Sequence, residues 1–319
     1  MPHVTFKTDT EPFPGAAGDR RFKRLTGFFA LSILIILGIM IFQMTRESLP
    51  SITKFGFHFL TGSNWDAVQE DFASLPYLYG SVVSAVLAIL LATPLSVATA
   101  LFITEIAHHR VGSMVASLVE LLAAIPSVIY GLWGVLVMAP WLQRTVQPWL
   151  IDHFGFLPFF SGAPYGVSMM AGVLILAVMI IPIITAISRE VLLAVPQSQR
   201  EAAIALGATR WEMIRIAVLP YGRSGILGAV ILGLGRAIGE TMAVTMVIGN
   251  APQISLSLLS PAYTMPSVIA NEFAETTSKL HSSALMEIGL ILLVVTLIVN
   301  VIARFLVWSV TKGQTKEVV

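Results

Sequence analysis

Residues 197–220, QSQREAAIALGATRWEMIRIAVLP, lie as a polar, alanine-rich stretch between two long apolar runs. Pro196 precedes it, and Ser198 is placed to cap a helix through Arg200, Glu201, Ala202 and Ala203. Alanine is the best helix former, and Gly207 is the residue on which such a helix stops. A second short segment follows, with Ile214, Ala217 and Val218 on one face, before Pro220 opens the next apolar run. The pattern predicts a short amphipathic helix, a glycine turn and a second helix. Such an element is shaped to press into a groove on another protein.

The flanking runs set the class of the chain. Of its 319 residues, 56% are hydrophobic and 12% charged, against about 25% charged in an ordinary soluble domain. About 20 apolar residues span a bilayer as a helix, since lipid leaves backbone groups no other partner. Six runs meet that length: roughly 26–45, 78–103, 112–139, 167–188, 223–248 and 284–310. The expected fold is therefore all-α and membrane-embedded, with six transmembrane helices. Pro94, Pro126 and Pro182 are expected to kink or end local turns. The first run follows Arg20, Arg21, Lys23 and Arg24 as a signal peptide would. It runs longer than a signal's apolar core and lacks a small-x-small cleavage site, so it is read as a retained helix.

Lys and Arg positions orient the chain. With the N-terminus placed in the cytoplasm, 14 fall on that side and 4 on the other; Arg236 lies within the fifth run. This positive-inside bias puts both termini in the cytoplasm. The chain divides into an arm (1–25), a membrane domain (26–311) and a tail (312–319), with the connecting loop at about 189–222. Residues 1–19 are polar and expected to be disordered. The outer loops, about 46–77, 140–166 and 249–283, carry Trp65, Trp141 and Trp149 among other aromatics. These suit interfacial anchoring, or a docking surface for an external partner.

The fifth run reads GLGRAIGETMAV from Gly233, placing two charges, Arg236 and Glu240, inside an apolar helix. Each costs about 2.5–3.5 kcal/mol at the bilayer centre. Four residues apart, they share a helix face and partly neutralise one another. Gly235 and Gly239 form a G-x-x-x-G pattern that admits a close helix neighbour. Two readings stand. Arg236 lines a pathway and helps an anion across, with Glu240 orienting it and preventing a trap; or the pair is buried and fixes packing. Glu120 in the third run is either a further pathway group or, more in keeping with its setting, a buried partner to a hydroxyl or the backbone.

The run Glu201-Ala202-Ala203, Gly207 and Leu219-Pro220 resembles the cytoplasmic loop of ABC importer permeases, spacing for spacing. One position departs, with Ala217 where that family carries isoleucine. The stretches GRAIGETMAV, ELLAAIPSVIYGLWG from Glu120 and ATPLSVATALFITE around Pro94 are similar to the C-type permease subunits of phosphate-specific transport systems. The resemblance implies a type I ABC importer permease fold in a bacterial inner membrane. It implies that this loop docks on an ATPase. The implied partners are an A-type permease, two ATPase subunits that bind ATP and magnesium, and an external phosphate-binding protein.

The exclusions agree. No phosphate-cradling G-x-x-x-x-G-K-[ST] run, serine elbow or H-E-x-x-H site occurs, so ATP chemistry is expected in a separate subunit and no cofactor in this chain. His108 and His109, side by side, face apart on a helix. The chain has no cysteine, which removes thiolate sites and disulfides. A net charge of +1 and no basic tract give no reason to expect nucleic acid. The alternatives are a permease for sulfate, molybdate or phosphonate, or a stand-alone channel or secondary transporter.

Overall fold

The computed structural model describes residues 16–311; residues 1–15 and 312–319, with Lys7, Lys312 and Lys316, lie outside them. The described residues are mostly helical. It begins with α1 (Ala16–Phe55) and the short α2 (His58–Thr61), then a two-stranded antiparallel hairpin, β1 (Trp65–Asp66) and β2 (Asp71–Phe72). The second crossing is α3 (Leu75–Leu101), extended by a π-helical turn over Phe102–Ile106. Then come α4 (His109–Ala123) and a rod of α5 (Ser127–Trp133), α6 (Ala139–Trp141) and α7 (Gln147–Phe154). The fourth crossing is α8 (Met169–Leu193). The loop helices α9 (Gln197–Ala205) and α10 (Arg210–Met213) lead through a π-turn, Ile214–Val218, into α11 (Leu219–Ile238). The short α12 (Met242–Val247) and α13 (Met265–Glu272) precede the last crossing, α14 (Lys279–Thr311).

Among the described residues five helices are long and apolar enough to cross a membrane, six if a bent pair counts as one span. That pair is the third expected run. It breaks after Ala123, and its two arms meet at 92°. Pro126 lacks the amide that would continue α4 and disfavours helical backbone in the residue before it. The break is bridged by Tyr130, whose hydroxyl donates to the Leu122 carbonyl at 2.8 Å. Pro94 and Pro182, by contrast, sit inside continuous helices.

Two boundaries move. α1 begins at Ala16, so residues 16–19 of the arm expected to be disordered are helical, and Arg21, Lys23 and Arg24 lie on the helix. At 1.5 Å per residue its 40 residues extend about 60 Å, twice a hydrocarbon core. Its burial is at the far end, where Ser48 and Ser51 pack near α14 and the Ser51 amide donates to Ser283 Oγ at 3.0 Å. The fifth crossing ends at Ile238 instead of running on to 248.

α8 is the axis. It is the most buried crossing, and α3, α11, α5 and α12 pack around it through Ile175, Ile180 and Ile184. Glycines set the closeness: a Cβ on Gly233 of α11 would lie 2.8 Å from Ile184 Cδ1. At the end away from the α9–α10 loop, Phe59, Phe72, Tyr77 and Tyr263 form an aromatic cap. Trp65 is part of this cap, 4.8 Å from Phe72 and 5.0 Å from Tyr77 between ring centres, and its indole donates to Glu272 at 2.9 Å. It packs within this cap, half-buried. Trp141 and Trp149 remain exposed.

Candidate functional site

The first site is the broken end of the fifth crossing. Gly239 takes the C-cap of α11, and Glu240 follows outside the helix. The charges are therefore not two positions of one helix, as i,i+4 spacing implied. Glu240 faces the start of α12, where its Oε1 accepts from the Ala243 amide at 3.3 Å. Its other oxygen lies 3.6 Å from Arg236 Nη2. Glu240 is buried at 6% side-chain exposure and Arg236 is open at 46%. At 3.6 Å the pair attract without a hydrogen bond, so the guanidinium keeps its donors available for an anion. Counting at 1.5 Å per residue, Arg236 lies about 20 Å along α11 from Arg223, well inside the hydrocarbon thickness.

Arg236 stands on an exposed flank of α11, beside the face that packs on α8. Ile226, Ala229, Gly233 and Ala237 are buried, whereas Leu232, Arg236 and Gly239 are exposed. A Cβ on Gly228 or Gly235 would meet nothing within 4 Å. Among the described residues, the G-x-x-x-G pattern therefore admits no neighbouring helix. Gly235 faces open space.

The second site is the loop. α9 ends in a closed turn in which Gly207 donates to the Ile204 carbonyl at 2.9 Å and Ala208 to the Ala203 carbonyl at 3.2 Å. Gly207 has φ +85°, a left-handed conformation that favours glycine. Thr209 then caps α10, and Glu212 reaches back to the Thr209 amide at 2.8 Å. Pro196 holds the position before α9, and Ser198 lies within the helix, so the expected serine cap is absent. Glu201 and Ala202 are exposed, Ala203 is buried, and Leu219 and Pro220 are half-buried. Met213, Ile214 and Val218 pack with Ala203 beneath the loop, with Ala217 beside them, so the smaller residue at 217 still reaches this core. Outward, Leu206 is 89% exposed and Trp211 64%, an apolar tip left uncovered by the described residues.

The loop is also bolted inward by a contact that sequence spacing gave no sign of. Arg200 of α9 reaches Glu105, on the π-turn after α3, through Nη2 at 2.8 Å and Nε at 3.3 Å. It also donates to the Leu192 and Val195 carbonyls at the end of α8. Both side chains are largely buried. Glu120 is elsewhere and exposed, 3.7 Å from Arg189, which pairs more tightly with Glu190 at 2.8 Å. It is not the buried partner that its apolar surroundings in sequence implied, and its ion pair is with Arg189, not Arg236. Among the described residues no cluster of three or more His, Asp or Glu could hold a metal ion.

Comparison with known proteins places these features in a family. Residues 93–312 match the family described as "binding-protein-dependent transport system inner membrane component". The "phosphate transport system permease protein PstC" of Mesorhizobium japonicum is 43% identical over 97% of this chain and 96% of its own length. The protein of the same name from Haemophilus influenzae is 44% identical over 92% of this chain and 95% of its own. Among solved structures, a bacterial alginate ABC transporter superposes with a TM-score of 0.60 at 19% identity, over 92% of this chain and 98% of that one. The MetNI methionine ABC transporter gives 0.54 at 18% identity, over 74% and 93%. At that identity these two speak for the fold, which is that of ABC importer permeases.

Proposed function

The chain belongs to the family of binding-protein-dependent transport system inner membrane components, and from that premise we propose that it forms half of the translocation pathway of an ATP-driven importer of inorganic phosphate. It is a multi-pass inner-membrane transport subunit and not an enzyme. As a permease of an ABC importer it works with an ATPase and a binding protein. We assign it an A-type permease as its other half, two ATPase copies that bind ATP and magnesium, and an external phosphate-binding protein. Both termini, and the α9–α10 loop, belong in the cytoplasm, in keeping with the 14-to-4 distribution of Lys and Arg.

The observation that carries the reading is the uneven Arg236–Glu240 pair, set in a chain more than 40% identical to phosphate permeases. An oxyanion crossing lipid needs a cation whose donors are available, and Arg236 supplies one on an exposed flank of α11. It also needs release. Glu240, fixed by its cap on α12, sits close enough to lower the field of Arg236 without occupying its donors. The seam with the second permease lies along the Gly235 side of α11, beyond Gly228, which shares a cavity with Arg304 and Trp308 of α14. Closure of the ATPase pair pushes the Leu206–Trp211 tip, and the continuous path from α10 into α11 carries that push towards Arg236, alternating its exposure. Glu201, Ala202, Ala203, Gly207, Leu219 and Pro220 are the docking and transmitting residues.

The test is uptake of radiolabelled phosphate by a strain lacking its own phosphate importer and carrying this chain with its neighbouring transport genes. Saturable, ATP-dependent phosphate uptake that sulfate and molybdate do not compete with supports the assignment. Uptake of another oxyanion instead, or uptake independent of any ATPase, overturns it.

A further inference from the structure

We propose that Arg200 is a positioning residue for transport: its lock on Glu105 carries the motion of the loop into α3 and α8, in addition to the covalent route into α11. The inference rests on the importer reading above.

The geometry is specific. An arginine fork binds both oxygens of Glu105, at 2.8 and 3.3 Å, and the same guanidinium takes the Leu192 and Val195 carbonyls. Those carbonyls belong to the last turn of α8 and the residues just after it, where a cation is favoured. One side chain therefore joins three ends: the start of α9, the π-turn closing α3, and the end of α8. The lock is nearly dry, with 13% and 5% side-chain exposure, so water does not compete for it. It is also central to the transport path. α3 and α8 pack together with α11 in one core, and Gly233, three residues before Arg236, lies against Ile184 of α8 and Ile89 of α3. A shift of α9 thus reaches the Arg236 region from two sides. Without the lock, α9 could rotate about the Gly207 turn and move α11 alone.

A purely structural ion pair would lower stability and leave the stoichiometry of transport intact. A transmitting pair would change the phosphate moved per ATP. The test uses the complete transporter in proteoliposomes, with its binding protein, ATP and radiolabelled phosphate. Glu105→Gln keeps shape and removes the charge; Arg200→Lys keeps charge and removes the fork. Both complexes are expected to retain the ATPase subunit and hydrolyse ATP, with phosphate moved per ATP falling about tenfold for Glu105→Gln and roughly threefold for Arg200→Lys. Glu190→Gln, on an exposed pair, should leave the ratio unchanged. An unchanged ratio in both lock variants overturns the proposal, as does loss of the ATPase subunit from both, which would make the pair an assembly contact. A wild-type complex that moves sulfate in place of phosphate refutes the substrate assignment alone, and the ratio is then read with sulfate.

Discussion

Arg236 and Glu240 are 3.6 Å apart and oppositely solvated, the carboxylate buried and the guanidinium open. A helix end separates them, so each is held by a different element. α11 carries the cation and α12 is capped by the anion.

The two charges should therefore respond differently to neutralisation. Arg236→Gln removes charge-assisted contacts each worth about 1.5–3 kcal/mol, or roughly 10- to 150-fold in affinity, and phosphate uptake should fall by at least that range. Glu240→Gln keeps an oxygen for the Ala243 amide and removes the counter-charge. Phosphate should then bind more tightly and leave more slowly, lowering KM and kcat together in uptake kinetics.

Gly207 offers a clean test of the loop. A methyl group added there would meet no atom within 4 Å, so a substitution acts through the φ of +85° alone. Gly207→Ala should strain the turn by about 1–2 kcal/mol and Gly207→Asn by less. The complex should assemble in both, with ATP hydrolysis persisting and phosphate uptake reduced more by alanine than by asparagine.

Gly80 and Gly235 make a matched pair. A Cβ on Gly80 would strike the backbone carbonyl of Tyr263, which cannot swing aside, whereas one on Gly235 meets open space. Gly80→Ala should cost about 1–3 kcal/mol or more and lower the unfolding temperature of the purified chain in detergent. Gly235→Leu should leave that temperature unchanged and weaken co-purification with the second permease.

Tyr130→Phe removes one donor to the Leu122 carbonyl at the bend and leaves it the Ile125 amide at 3.3 Å. Losing that hydrogen bond costs about 0.5–1.5 kcal/mol, so thermal unfolding should shift down and backbone exchange around Leu122 should quicken.

Hydropathy alone made the six crossings legible, because lipid imposes a length that composition cannot hide. Pro126 marked the break in the third one. The loop was legible in part: Gly207 stops α9, but Pro196 and not Ser198 holds the cap position. What stayed hidden depended on tertiary partners. Arg200 and Glu105 are 95 positions apart, with no periodicity relating them. The end of α11 was masked because Gly239 also satisfies a helix-packing pattern, and apolar residues resume at Met242. The packing of Trp65 was hidden because its partners, Tyr77 and Glu272, come from other segments. Glu120 read as buried because the run around it is apolar, while the fold leaves that helix side open.

The bend at Pro126 also sets a timetable for synthesis. α5 is seven residues long, and its Gly131 side rests on Ala243 and Met246 of α12. The ribosome adds those residues more than a hundred positions later, which at roughly 5–20 residues per second is a delay of about 6–20 s. Through that interval the half-crossing waits in the nascent chain with its Gly131 side bare, and any pause of translation between α8 and α12 lengthens the wait in proportion.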